Sequence, residues 1–407
     1  MRTNLSDIKN IIQSYQPWLE KTYKWLHANP ELSMQETGTV QLIEKYLTDF
    51  GYETQKIGGG IVGIIKNYQG PTVLYRADID GLPVKENSDV EYASKKEMKD
   101  SSGQIVPVMH ACGHDFHISA GLASAKFFSE NKDKWSGTYI ALFQPGEETA
   151  EGAISMVQDD LALKIPKPNI VLGQHVLSEP VLSGQVGTHA GPILSTATSI
   201  KITIHGKGSH GSMPHKSIDP VVIASSVVLK LQTLVSREID PLKMAVLTVG
   251  SIQAGTKSNI IPDNATLLVN IRAYDNQVRT HLIDGIKRIV KAECIASSCQ
   301  IEPEFSLYDS YPLTNNDLQA TEKITLAFKK YFGAKNVIDC GQVPASEDFS
   351  NIPDCFNAPY SYWTFGGFFK DDTKYPNHNP AFAPRINPTI QTGASAAIIA
   401  SMCWLGI

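Results

Sequence analysis

The chain has 407 residues, 42% of them hydrophobic and 19% charged, with a formal net charge of -5 at neutral pH. That length exceeds the size at which one core usually stops growing, so two domains are expected. No block of Lys or Arg stands out and no apolar run reads as long enough to span a bilayer, so neither nucleic acid nor membrane is an expected partner.

The first stretch carries acids and amides rather than a long apolar core, so no secretory signal is expected. An apolar stripe through Ile8, Ile11, Ile12, Tyr15, Trp18 and Leu19 predicts a helix from about Ser6 to His27. A second helix is expected over 37–49, stopped at Gly51. "GIVGIIKN" and "PTVLYRADID" read as buried strands bounded by Gly and Pro. Helix "HISAGLASAKFFSEN", strand "GTYIALFQ", short helix "AEGAISMVQDD" and strand "NIVLGQHV" follow. This alternation predicts an α/β fold, a mostly parallel sheet flanked by helices.

Near residue 195 the pattern changes to strands with one wet face. "TSIKITIHG", a helix from "DPVVIASS", strands "MAVLTVGSIQ" and "ATLLVNIRAYD", a helix from "NQVRTHL" and strand "CQIEPEFSL" give the order β-α-β-β-α-β. That is the order of a ferredoxin-like α+β sandwich. It reads as a satellite domain, 195–308, inserted into a catalytic domain made of 1–194 and 309–407. Two further helices, "LQATEKITLAFKKYF" and "TIQTGASAAIIASMCWLGI", are expected in the last part. Six cysteines fall in no CxxC or framework spacing, which reads as reduced thiols in a cytoplasmic protein. Most are expected to be small core residues, with Cys112 excepted.

"PVMHACGHDFHIS" gathers His110, Cys112, His114 and His117 into eight positions. Apolar loops do not collect three imidazoles and a thiol without a chemical reason. Arg76, Asp78 and Asp80 end one predicted strand, Glu147 and Glu148 follow another, and His175 ends a third. Open α/β sheets bind ligands outside the carboxyl ends of their strands, so these groups are expected at one rim. His, Cys and carboxylate donors with open positions suit divalent ions, which lower the pKa of water and polarise a carbonyl. Of two adjacent acids, one can bind metal while its neighbour serves as general base. A Cys112 nucleophile paired with His110 or His114 is the competing scheme, but it leaves the acid pair and His175 without a task.

With these residues assembled, the chain resembles the di-metal aminoacylase and carboxypeptidase metallopeptidase family. The resemblance is to its amidohydrolase branch of N-acyl-amino-acid deacylases, hippurate hydrolases and auxin-conjugate hydrolases. It rests on "HANPELSMQET", "RADIDGLPVKE", "MHACGHDFH", "QPGEE", "GQHV", "GKGSHGSMPHKSIDP", "SNIIPD", "NIRAYD", "SEDFS" and "HNPAF" in that order. It implies Cys112, His114, Glu148, His175 and His378 as ligands of two divalent ions. Zinc or manganese is expected, with nickel or cobalt also suited to such donors. It implies Glu147 as general base and His210 as a stabiliser of the oxyanion that reaches a partner subunit's site. Asn259 and Arg272 would hold the substrate, with Asp78 orienting the site from behind the ligands. Arg76 and Asp78 stand where other branches carry a His-x-Asp metal motif. The expected reaction is hydrolysis of an N-acyl amino acid such as an N-acetyl amino acid, by a homodimer joined through the satellite domain. A dipeptidase or carboxypeptidase with the same site and an inactive binding relative are the alternatives.

Overall fold

A computed structural model describes residues 5–406; residues 1–4 and 407, the outer ends of the first and last stretches read above, lie outside the described residues. Chain contacts define two compact units, one of 1–193, 315–343 and 348–407, the other of 194–314 with 344–347.

The first unit is built on an eight-stranded sheet. Its strands run in the order Glu53–Ile57, Gly60–Asn67, Gly137–Gln144, Thr72–Asp78, Ile170–Leu177, Tyr360–Gly366, Val186–Thr188, Val337–Asp339. The four from Gly137–Gln144 to Tyr360–Gly366 are mutually parallel, and antiparallel pairing is confined to either side of them. Central parallel strands are covered on both faces, and Val73, Leu74, Tyr75 and Ala77 are all buried. Tyr360–Gly366 lies in this centre although its aromatic run "YSYWTFG" gives no strand periodicity. The helix Ile386–Leu405 packs against His114–Glu130 through a run rich in Gly, Ala and Ser, whose small side chains permit close approach.

Helix boundaries differ from the sequence reading at several points, among them the last helix, read from Thr389, which begins at Ile386. The first stretch is two helices, Leu5–Ser14 and Gln16–Ala28, rather than one. Pro17 lacks an N–H and would clash with the carbonyl four residues back, so it sits in the first turn of a new helix. The helix expected from His117 begins three residues earlier, at His114.

The second unit is an antiparallel sheet in the order Ala245–Ala254, Asn264–Ala273, Thr196–His205, Glu304–Tyr311. Ile200 and Ile202 face Val269 and Leu267 across the register, and these side chains form a core with Ile223, Val227, Leu282 and Ile286 of two helices. The chain order is the expected β-α-β-β-α-β. Its last strand runs to Tyr311, past the boundary read at 308, and starts at Glu304 because Pro303 interrupts the stretch before it. One further correction concerns apolar length. Pro220–Glu238, with a mean hydropathy of 1.2 over its window, is long and apolar enough by composition to cross a membrane. Lys230, Arg237 and Glu238 interrupt it in sequence, while Ile223, Ala224, Val227 and Leu231 bury one face against the sheet.

Candidate metal centre

Within the first unit, the expected donors arrive from separate loops at the carboxyl rim of the sheet. Asp78 closes the strand Thr72–Asp78, and Asp80 follows it. Glu147 and Glu148 follow Gly137–Gln144, and His175 lies near the end of Ile170–Leu177. Cys112 is in the loop before helix His114–Glu130, and His114 opens that helix rather than projecting from the loop itself. Two glycines allow these turns. Gly113 has φ +83, and a Cβ there would lie 2.3 Å from Val176 Cγ1. Gly146 has φ +53, and a Cβ would lie 2.5 Å from Met34 Sδ.

The donor atoms of Cys112, His114 and His175 lie within 4.8 Å of one another. So do those of Cys112, Glu148 and His378, and those of His114, Glu147 and Glu148. Cys112 Sγ is 3.5 Å from His175 Nε2, His114 Nε2 is 3.8 Å from Glu148 Oε1, and His378 Nε2 is 3.3 Å from Glu148 Oε2. The five donors read from sequence therefore form one connected set with Glu147 beside it.

Hydrogen bonding prepares two of the histidines to bind a cation. His175 Nδ1 donates to the Val176 carbonyl at 2.7 Å, which leaves the Nε2 lone pair facing Cys112. His114 Nδ1 faces the Asp80 carbonyl at 3.0 Å and Asp80 Oδ1 at 3.1 Å, both acceptors. Its Nε2 is buried with no hydrogen-bond partner among the described residues. An N–H held by a carboxylate or carbonyl, with the other ring nitrogen aimed inward, is the usual state of a metal-binding histidine. The electrostatics make His175 a ready ligand, while Cys112 and His114 must each give up a proton to the cation they bind. Burial pushes the Cys112 thiol up, and Glu148, Glu147 and Asp78 push it further, so only a nearby cation makes the thiolate favourable. Burial, reinforced by His117, holds His175 well below its ordinary value and therefore neutral. For His114 burial acts downward, but Asp78, Asp80 and Glu148 outweigh it and raise the imidazole to about 10. The residues present fit a divalent metal centre.

Asp78, His114 and His117 also bring donor atoms within 4.8 Å. His117, however, uses both ring nitrogens: Nδ1 donates to Asp78 Oδ1 at 2.5 Å, and Nε2 accepts the Val176 N–H at 2.8 Å. Asp78 Oδ2 is held by Arg76 Nη1 at 2.6 Å. Arg76 is itself buried, with Nε on Gln144 Oε1 and Nη2 on Asp348 Oδ1. This cluster fixes strand ends behind the donors. His110 has Nδ1 on the Asp80 carbonyl at 3.2 Å, and burial lowers it to about 4.

Asp80 was read only as a rim acid, and other positioning groups had no assigned role in the sequence reading. Asp80 Oδ2 accepts from the Ser33 hydroxyl at 2.7 Å and the Glu148 N–H at 2.9 Å, so one carboxylate orients two expected ligands. Glu36 accepts the Gly146 N–H at 2.7 Å, and burial and Asp80 raise it to about 8. Asn377 donates to the carbonyls of Cys112 and Val176, both at 3.1 Å, tying the thiol loop to the His175 strand. His27 bridges Asp115 at 2.7 Å and Glu86 at 2.9 Å, all three from quoted motifs. The motif "HANPELSMQET" thus reads in three dimensions as a collar around the donor loops.

His210, Asn259 and Arg272 belong to the second unit. Ser209–His210 pairs with Ile260–Ile261, and the Gly211 N–H donates to the Asn259 carbonyl, so His210 and Asn259 share one small ribbon. His210 is exposed, and its Nδ1 faces the Ser212 hydroxyl at 2.7 Å and the Ser212 N–H at 3.2 Å. Arg272 lies on the strand Asn264–Ala273, and Nη1 donates to the Pro344 carbonyl at 3.1 Å and Ser346 Oγ at 3.2 Å.

A cage of thiol, imidazole and carboxylate donors with an extra acid at the rim of an α/β sheet defines a metal-dependent hydrolase. Residues 74–397 match peptidase family M20/M25/M40, and the chain belongs to that family. It is 36% identical to thermostable carboxypeptidase 2 of Saccharolobus solfataricus, over 92% of each chain. It is 34% identical to N-acetyl-L-cysteine deacetylase of Bacillus subtilis, over 88% of this chain and 81% of that one. The solved structure of the Bacillus subtilis YXEP protein, described as a dinuclear metal binding peptidase, superimposes with a TM-score of 0.76 at 26% identity, covering 95% of this chain and 98% of that one. The protein is a hydrolase of amide or peptide C–N bonds.

Proposed function

We propose that the protein removes the acyl group from N-acyl amino acids, giving a carboxylate and a free amino acid. The carrying observation is the connected set of Cys112, His114, Glu148, His175 and His378 with Glu147 beside it, in a chain similar along most of its length to an N-acetyl-L-cysteine deacetylase. These five residues would hold two divalent ions, zinc or manganese by donor type, with nickel or cobalt as further candidates. Bound there, the ions supply a more acidic water and polarise the substrate carbonyl.

The chain's own groups do the rest. Glu147, nearly buried, takes the proton of the attacking water and returns it to the departing amine nitrogen. Asp78 keeps His117 and the strand end in place. His210, reaching the site of a partner subunit, would donate to the carbonyl oxygen as negative charge develops on it. Arg272 has donors beyond Nη1 with which to pair the substrate carboxylate, and Asn259 holds the amide.

The working form is a homodimer joined through the second unit. Val222 and Leu229 on one helix and Val246 and Ile252 on the edge strand are exposed apolar residues around an unpaired strand edge. The second reading is a carboxypeptidase, favoured by the 36% identity to thermostable carboxypeptidase 2. A chelator-controlled panel of N-acetyl amino acids and peptides decides between them. Preferred turnover of the N-acetyl compounds supports deacylation, and preferred release of C-terminal residues from peptides overturns it.

A further inference from the structure

The C-terminus of the helix Asn276–Ala296, in the second unit, closes with a specific pair of backbone bonds. Cys299 N–H reaches the Cys294 carbonyl at 2.9 Å, and Ser298 N–H reaches the Ile295 carbonyl at 3.0 Å. Ser298 has φ +61, the left-handed conformation such an ending requires. Nested six-to-one and five-to-two bonds around a left-handed residue form the Schellman ending, whose two outer positions normally bring apolar side chains together. Here both outer positions are cysteines. Cys294 is 3% exposed within the core of its unit, and Cys299 is half-buried and packs against that core. The main-chain bond joins the two residues, and the side chains meet where the fold ordinarily places a hydrophobic contact.

We propose that Cys294 and Cys299 form a reversible disulfide, a redox modification site at this helix end that is separate from the metal centre's donors. The two residues are five apart in sequence, a spacing that matches no CxxC motif, and it is the helix ending that makes them neighbours. The oxidant is a hydroperoxide. The Cys299 sulfur, the more accessible of the two, attacks the O–O bond, takes one oxygen as a sulfenic acid and releases an alcohol, or water from hydrogen peroxide. The Cys294 sulfur then attacks that sulfur, the S–S bond forms, and the oxygen leaves as water with the second thiol proton. Each sulfur gives one electron and the peroxide takes two. Burial, together with Cys299 itself, pushes the Cys294 thiol up to about 12, so the second step speeds up as pH rises. The product is reduced again by a dithiol.

The test uses the intact folded protein, treated with hydrogen peroxide, blocked with iodoacetamide and cut at glutamates. Cleavage after Glu293 and Glu304, the Glu302–Pro303 bond being resistant, releases the undecapeptide 294–304, which holds both cysteines. The expected result is an undecapeptide lighter by two hydrogens and free of alkylation, restored to a doubly alkylated form when dithiothreitol precedes the blocking step. Cys299→Ser protein, checked for an unchanged circular dichroism spectrum, gives no such loss. Two alkylated thiols after peroxide, or a Cys299 oxidised to sulfinic acid beside an alkylated Cys294, would overturn the proposal. So would a linkage from either cysteine to one of the other four.

Discussion

Asp80→Asn isolates the positioning of the metal ligands from the ligands themselves. The Asp80 carboxylate meets His114 Nδ1 at 3.1 Å through Oδ1, and the Ser33 hydroxyl and Glu148 N–H at 2.7 and 2.9 Å through Oδ2. Asparagine has the same shape but one oxygen becomes an NH2. Facing His114, that group opposes an N–H with another donor; facing Ser33 and Glu148, it abandons two donors at once. Hydrogen bonds to a charged group contribute about 1.5–3 kcal/mol each. The backbone carbonyl of Asp80 still holds His114, so the loss should be about one such bond. Expressed in metal affinity this is roughly 10- to 100-fold, the range typical when a partner behind a ligand is removed. The assay is competition for zinc against a chromophoric chelator, with urea melts of the metal-free protein alongside. An unchanged affinity would refute the role given to Asp80. A loss of metal-free stability with affinity intact would show it to be scaffold only.

Glu147→Gln should lower kcat by about 10³-fold, within the range for a general base, while both ions stay bound by elemental analysis. Metal loss in that variant would place Glu147 among the ligands. Gly113→Ala forces a side chain into φ +83 and against Val176, and should destabilise the fold by about 3 kcal/mol in denaturant melts. A neutral result would show that the loop relaxes. His27 is buried between Asp115 and Glu86; burial lowers its pKa, but the two carboxylates prevail and raise it from 6.5 to about 9. Its folded pKa lies above the unfolded one, so its contribution is complete below 6.5 and fades as pH rises through about 9. Metal-free protein should lose up to about 3 kcal/mol across that window, and His27→Gln should flatten the loss. Parallel pH profiles for the two proteins would contradict the charged bridge.

The clustering of candidate donors was legible because such chemistry is local: "GEE" and His175 fall at strand ends, "HACGH" leads into a helix, and such ends share a rim by topology. Asp80 was read as a strand-end acid of no fixed task, since its three partners come from loops that only the fold brings together. Asn377 gives no signal beyond its place next to His378, because an amide bridging two carbonyls has no periodicity. The strand Tyr360–Gly366 escaped for a related reason: strands buried on both faces show continuous apolar runs, without the alternation that marks a half-wet strand. The break in the first helix falls just before Pro17, but the apolar stripe runs across it without interruption. His378 came only from resemblance; it is 55% exposed side chain on a loop, with φ +71.

Cobalt substitution followed by titration is the most direct measurement of the metal centre. Metal-free protein should take up two cobalt ions per chain and develop a thiolate-to-cobalt charge-transfer band, and Cys112→Ser should abolish the band. Uptake of fewer than two ions, or a band that persists in Cys112→Ser, would contradict a paired site built on Cys112, His114, Glu148, His175 and His378.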